Sequence, residues 1–205
     1  MKKAKLDLPQ EYYLNTNTLF LAKDILGKKL CTHINGNYTA GIIVETEAYC
    51  GTNDMACHGR HGHRTPRNKT LFAQGGVFYV YICYGIHHLL NIVTHNENEP
   101  HAILIRALMP IEGIEIMLDR RKKSKVDYTI TKGPGALTQA LGITSYYDAI
   151  PCNSDTIWLE NTAITYKDED IFNGPRVGVS NCGNDAILPY RYYIKHNKWV
   201  SAWKP

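Results

Sequence analysis

Between residues 29 and 108 the chain repeats one pattern: short runs rich in Val, Ile, Leu and Tyr, broken by Gly, Asn or Pro. Such runs, bounded by turn residues, are the signature of β-strands, and several in succession commit this half of the chain to a sheet. Strands are expected over 29–34, 38–49, 77–83, 89–94 and 102–108. The 38–49 run is the longest and ends "GIIVETEAY", which places Glu45, Glu47 and Tyr49 on one face. A buried, unpaired carboxylate is strongly disfavoured. That face is therefore either wet, with its carboxylates solvated or paired with arginine, or it is the floor of a site. Same-face residues of a strand lie roughly 6.5–7 Å apart, a spacing at which two carboxylates can divide acid and base roles across a sugar.

Helical signals flank the strands. "NTNTLFLAKDILGKKL" offers polar cap residues, apolar Leu19, Phe20, Leu21, Ile25 and Leu26 at helical spacing, and Gly27 as a stop. "PIEGIEIMLDRRKK" reads as a helix opened by Pro110, with Glu112 and Glu115 early and basic residues late, as the helix dipole favours. "GPGALTQALGI" reads as another, with Pro134 in its first turn and Gly142 as its end. "PRVGVS" and "YRYYIKH" return to strand-like composition. The expected class is α+β, a mostly antiparallel sheet with packed helices.

A chain of 205 residues without repeats or linker-like stretches is expected to form one domain over 1–205. Lys and Arg number 23 against 19 Asp and Glu, so the net charge of +4 does not by itself announce a polyanion partner. The distribution is more informative. No acidic residue occurs from Met55 to Asn96, where Arg60, Arg64, Arg67 and Lys69 fall, and a second basic run follows at 120–125. The opening "MKKAKLDLPQEYY" has no apolar run after its basic residues, which predicts neither a secretory signal nor a membrane anchor. The expectation is an intracellular protein, in cytoplasm and nucleoid or in a nucleus according to its source. Six cysteines without a CxxC pair are expected to be free thiols.

Two stretches bear on chemistry. "HGRHGHRTPRNK" brings His58, His61 and His63 close to Cys57, a candidate zinc set whose spacing fits none of the usual pairs. Its Gly, Pro and Arg content, without a carboxylate, suits phosphate better, because guanidinium forks and exposed N–H groups both match phosphate oxygens. "GVFYVYICYGIHHLLNIVT" reads as a β-hairpin turning near Tyr84-Gly85, with Tyr79, Tyr81 and Cys83 on one face of its first strand. Tyr-rich hairpins usually serve packing. An aromatic at the tip, flanked by basic loops, also has the form of a wedge inserted between base pairs. On the residues alone three readings stand: an enzyme using the paired carboxylates as acid and base across a sugar, a metal-dependent nuclease built on the three histidines, and a non-catalytic DNA- or RNA-binding module.

"VETEAY", "TPRN", "YVYICYG" followed by "LNI", "LIRAL.P.EG", "GPG.L.QALGI" and "RVGV" stand in the order seen in the 3-methyladenine DNA glycosylase family of the alkyladenine type, which the chain resembles from its first helix to "KWVS". The resemblance implies a curved antiparallel sheet with a protruding, DNA-inserting hairpin. It implies a monofunctional glycosylase of base excision repair that flips alkylated or deaminated purines, 3-methyladenine and in some members hypoxanthine and ethenoadenine, out of duplex DNA. Neither metal nor organic cofactor is expected. Double-stranded DNA bearing damaged purines is the expected partner, no membrane is expected, and one wedge with one pocket needs only a monomer. The matching positions make Glu47 the base that activates water, with Arg106 beside that water. They make Tyr49, His58, Tyr81 and Asn91 the base pocket, Asn91 being placed against the exocyclic amine of guanine. Tyr84 becomes the intercalating side chain, and Arg64, Thr65, Arg67, Lys69, Gly133 and Gly135 contact the DNA backbone. Two features depart from the family pattern: His87 and His88 follow the wedge where apolar or aromatic residues are usual, and the 94–101 loop is longer and carries two glutamates.

Overall fold

The computed structural model describes residues 8–201, so the reading of the first seven residues as neither signal nor anchor lies outside the described residues. In chain order the elements are α1 (Gln10–Tyr13), α2 (Thr18–Asp24), β1 (Lys29–Ile34), β2 (Asn37–Cys50), β3 (Phe78–Cys83), β4 (His87–Thr94), β5 (His101–Glu112), α3 (Ile114–Arg121), α4 (Pro134–Leu141), β6 (Ile157–Glu160), β7 (Ile171–Gly174) and β8 (Arg191–Ile194). The strands join in one antiparallel sheet of order β3-β4-β5-β2-β1-β6, and β8 pairs with both β2 and β7. The sheet curls because β2 is shared: its first half pairs with β1, its second half with β8, while β5 runs along its other edge. The α+β class, the single domain and the curled antiparallel sheet agree with the reading of the sequence.

Apolar side chains from both ends of the chain meet under this sheet. Leu21, Ile25, Leu30, Ile43, Val44, Leu90, Ile92, Ile105, Leu108 and Leu137 belong to one buried cluster. α4 lies across β4 and β5, and α3 packs on α4. Asn17 caps α2, its side chain accepting the Phe20 N–H at 2.9 Å, whereas Phe20 itself is half exposed and leaves the apolar stripe expected of that helix.

Two local expectations are corrected. Pro110 does not start a helix: it stays on β5 opposite Gly41, beside a bulge that takes up Ile111. A bulge is where a strand tolerates proline. The break comes at Gly113, whose φ of 70° admits a left-handed turn and whose missing Cβ leaves room for the Tyr38 carbonyl, and α3 begins only at Ile114. "PRVGVS" forms no strand, because Gly178 at φ 80° breaks the extension and the segment crosses the end of β2 as a strap. β6 and β7, four residues each, and the short α1 carried no periodicity long enough to announce them.

Candidate active site

Residues 39–48 of β2 are all buried, so the face carrying Glu45, Glu47 and Tyr49 is not wet. Two bulges shape it. Ile43 pairs with Leu108 and Glu45 with Ala107, leaving Val44 over; Glu45 and Thr46 then pair with Ala107 and Ile105, leaving Arg106 over on β5. An extra residue in a ladder is re-aimed, and Arg106 lands between the two carboxylates. Its Nε lies 3.0 Å from Glu45 Oε1 and its Nη1 3.2 Å from Glu47 Oε1. Both glutamate side chains are 0 % exposed.

Their surroundings separate them. Glu45 also receives Arg191 Nε at 2.8 Å and the Ser201 hydroxyl and N–H at 2.6 and 2.5 Å. Burial alone would raise its carboxyl, but Arg106, Arg191 and Ser201 outweigh burial and hold it below the ordinary carboxylate range. Glu47 has one guanidinium, the Val177 N–H at 2.7 Å and the Tyr49 hydroxyl at 2.8 Å. Burial dominates there and pushes the carboxyl above its usual value, Arg106 and the two donors opposing it.

Beside this floor opens a cavity of about 550 Å³, lined among others by Tyr49, His58, Tyr79, Tyr81, Asn91 and Arg106. Its walls are aromatic. Tyr79 and Tyr81 stand 5.3 Å apart between ring centroids, and His58 meets Tyr81 edge-on at 4.6 Å. His58 is exposed at the mouth, its Nδ1 3.1 Å from the Tyr79 hydroxyl. The pocket walls around it, with Arg67 and Arg60 next, hold its pKa below the ordinary histidine value. Asn91 is buried, its amide nitrogen donating to the Tyr79 carbonyl at 3.1 Å. Leu89, Ala102 and Leu104 complete the inner wall.

The hairpin projects over the mouth. Cys83 pairs with His87 around the three residues 84–86; the Ile86 N–H donates to the Cys83 carbonyl at 3.2 Å, and the two central residues of that turn, Tyr84 and Gly85, have φ of 51° and 74°, both positive as in a type I′ turn. Tyr84 is 88 % and Ile86 72 % exposed. His87 and His88 find their partners behind the tip: the His88 carbonyl accepts Thr138 Oγ1 at 2.6 Å, the His88 Nδ1 accepts the Ser145 N–H at 2.9 Å, and Gly135 has no Cβ where His87 presses on α4.

Of the residues expected on the DNA backbone, Arg64, Thr65 and Arg67 line a second cleft of about 810 Å³ with Arg60, His61 and His63, and no carboxylate borders it. The two cavities share His58, Arg60, Arg67 and Tyr79. Arg64 is steadied by Phe72, over whose ring it sits at 4.3 Å, and by Asn98 of the 94–101 loop. Gly133 and Gly135 flank Pro134 at the start of α4, and Pro134 borders the aromatic cavity. Lys69 stands exposed outside both linings. The three histidines do not converge: His58 turns to the tyrosines while His61 and His63 face the cleft, and among the described residues no cluster of three or more His, Cys, Asp or Glu is arranged to hold a metal ion.

Sequence reasoning left Tyr79, Arg176, Val177, Arg191 and Ser201 without a role in the site. Tyr79 alone had a local signal, being on the face of Tyr81. The others reach Glu45 or Glu47 from 130 or more positions away, except that Arg176 reaches Asp54, 122 positions away.

The match to known proteins covers this arrangement up to residue 198. The model of the methylpurine-DNA glycosylase family matches residues 12–198. Among similar proteins, one from Methanocella arvoryzae is 42% identical over 199 residues, 97% of either chain; one from Chlamydia abortus is 40% identical over 188 residues, 91% of this chain and 97% of its own; and one from Bacillus licheniformis is 39% identical over 201 residues, 98% of this chain and all of its own. Each is named as a candidate 3-methyladenine DNA glycosylase. With a family match over residues 12–198 and relatives aligned almost end to end, this chain belongs to the methylpurine-DNA glycosylase family, DNA-repair hydrolases of N-glycosyl bonds.

Proposed function

We propose that the protein flips a damaged purine out of duplex DNA into the aromatic cavity and hydrolyses its N-glycosidic bond with a water activated by Glu47. One observation carries this reading: a fully buried carboxylate, raised in pKa, lies directly behind Arg106 and Tyr49, which touch it and line a tyrosine-rich cavity wide enough for a base. A base works best when its pKa lies near the working pH, and burial moves Glu47 in that direction. Arg106 borders both the cavity and Glu47, and the attacking water is assigned to that boundary.

A base inside a duplex is out of reach, and extrusion costs a few kcal/mol, least for a damaged or mispaired base. Tyr84, exposed at the hairpin tip, fills the gap in the stack. The extruded purine lies among Tyr49, Tyr81 and His58. Because His58 Nδ1 is engaged with Tyr79, its Nε2 is the nitrogen that faces the base. Asn91, pinned by the Tyr79 carbonyl, forms a fixed wall against the exocyclic amine of guanine. Substrates such as 3-methyladenine are cationic, which favours electron-rich tyrosine faces and lets the base leave without a proton donor. As the bond breaks, positive charge develops on the sugar, and the Glu47 carboxylate stabilises it while accepting the proton of water. The flanking strand runs through the basic cleft, with Arg64, Thr65 and Arg67 on its phosphates and Lys69, Gly133 and Gly135 contacting the backbone further along. The whole reaction is assigned to one domain over 1–205, acting as a monomer without a cofactor.

The test is incubation in EDTA with an oligonucleotide duplex bearing one hypoxanthine or one alkylated adenine. Release of free base with an alkali-labile, otherwise intact strand is the expected result. Scission that needs a divalent metal would instead support the nuclease reading, and binding without release would leave only a recognition module.

A further inference from the structure

We infer that Arg176 is a positioning residue for Glu47: locked onto Asp54, it fixes both donors that hold the Glu47 carboxylate. The inference rests on Glu47 being the base. Arg176 and Asp54 form a bidentate pair at 2.5 and 2.8 Å, with side chains 0 % and 2 % exposed. Asp54 is itself anchored by the N–H groups of Cys50 and Ala56 at 2.9 and 3.0 Å. Arg176 also donates to the Ala48 carbonyl at 2.9 Å, the backbone group between Glu47 and Tyr49. Two consequences follow at one point. The next residue along the strap, Val177, sends its N–H to Glu47 Oε1, and the Arg176 guanidinium lies over the ring of Tyr49, 4.9 Å from its centroid, whose hydroxyl goes to Glu47 Oε2. The guanidinium also lies 5.2 Å from the Tyr190 ring centroid, and its Nη2 donates to the Asp185 carbonyl at 3.2 Å.

A buried ion pair contributes little net stability compared with apolar packing of the same shape; what it supplies is a fixed direction. The strap from Pro175 to Val179 has no strand pairing of its own, so this side chain sets where the Val177 N–H points. The charged and titratable groups around Glu47 are Glu45 and Tyr49 from β2, Tyr81 from β3, Arg106 from β5, Arg191 from β8, and Arg176 with Asp54. Arg176→Lys keeps the positive charge beside Asp54 and leaves Arg106, Glu45 and Arg191 in place, so what it removes is the two-pronged guanidinium grip that fixes the two hydrogen-bond donors.

The experiment is single-turnover excision of hypoxanthine or alkylated adenine as a function of pH, for the native protein, Arg176→Lys and Val177→Pro, with thermal melting alongside. Val177→Pro deletes the N–H at a half-exposed position and decides the matter if Arg176→Lys does not fold. Loss of hydrogen bonds to the charged form raises a carboxyl pKa. The acid limb is expected to move upward by roughly one pH unit in both variants, with affinity for damaged duplex little changed and the rate recovering as pH rises. A merely structural role lowers the melting temperature and leaves the limb where it was, and an unmoved limb in Val177→Pro overturns the inference. Glu47→Gln is the control: if it excises at the native rate the base assignment itself fails, whereas an inactive Glu47→Gln with unmoved limbs removes only the role of Arg176.

Discussion

Glu45 and Glu47 differ by two positions and lie on one face, yet their neighbours give them opposite electrostatics. Glu45, held by two guanidiniums and Ser201, is depressed; Glu47, with one guanidinium, is raised. The pH dependence of each then follows with a definite sign. A depressed carboxylate contributes stability above its unfolded pKa that is lost as pH falls through its folded pKa; a raised one contributes stability in acid that is lost as pH rises through its folded pKa. Glu47→Gln never ionises, so it is expected to melt above the native protein at neutral pH and with it in acid, each pH unit of elevation being worth about 1.4 kcal/mol. Its excision rate is expected to fall by about 10²–10⁴-fold, the usual share of a general base, with binding to damaged duplex kept. Native-level excision would displace Glu47 from that role. Glu45→Ala leaves Arg106 and Arg191 facing an empty buried site and is expected to cost about 3–5 kcal/mol by chemical denaturation. The adjacency of two carboxylates was legible in the sequence; their division of labour was not, because Arg191 and Ser201 arrive from 146 and 156 positions away.

At the scale of elements, the hairpin of β3 and β4 combines a rigid base with an exposed tip. The sequence located its turn, since Tyr84-Gly85 lies between two strand-like runs, and the structure adds a conformational cost. Tyr84 sits at φ 51°, a region in which non-glycine side chains other than Asn or Asp are strained by about 1–2 kcal/mol. Tyr84→Asn gives the Asn-Gly pair that type I′ turns favour and is expected to raise thermal stability slightly while weakening engagement with duplex DNA. Native excision kinetics in that variant would remove the wedge. The two histidines that depart from the family pattern belong to the same element and tie the hairpin to α4 and the turn after it: His88 bonds Thr138 and Ser145, and His87 packs on Gly135. β5 shows the converse, an element whose end was misread because Pro110 signals a helix start and only the pairing with Gly41 keeps it in the sheet.

For the whole molecule, the acid-free stretch from Met55 to Asn96 becomes one face. It contributes the basic cleft, two walls of the aromatic cavity and the hairpin, so a modest net charge of +4 is concentrated where DNA would approach. Binding is expected to weaken steeply with salt, and Arg64→Ala to reduce the slope of log affinity against log salt by about one, the value of one phosphate contact. A flat response would take the cleft out of the interface. Arg67→Ala should cost more than the charge alone, because Arg67 also donates to the Ile82 carbonyl at 2.7 Å, next to the turn of the hairpin. Among the described residues no helix is long and apolar enough to cross a membrane.

By itself the sequence determined the β-rich first half, the capped helices, the hairpin and its exposed tyrosine, and the pairing of acidic and aromatic residues on one strand. These are local: spacing, turn chemistry and side-chain type act over a few residues, and ordered motifs identified the family. Tertiary structure decided the rest. Two bulges aimed Arg106 between the glutamates, a strap without strand structure delivered Val177 and Arg176, and the end of the described chain delivered Ser201 to Glu45. The physical reason is that a carboxylate's charge state depends on every group that desolvates or pairs with it, and in a curled sheet those groups come from strands and loops more than a hundred residues apart.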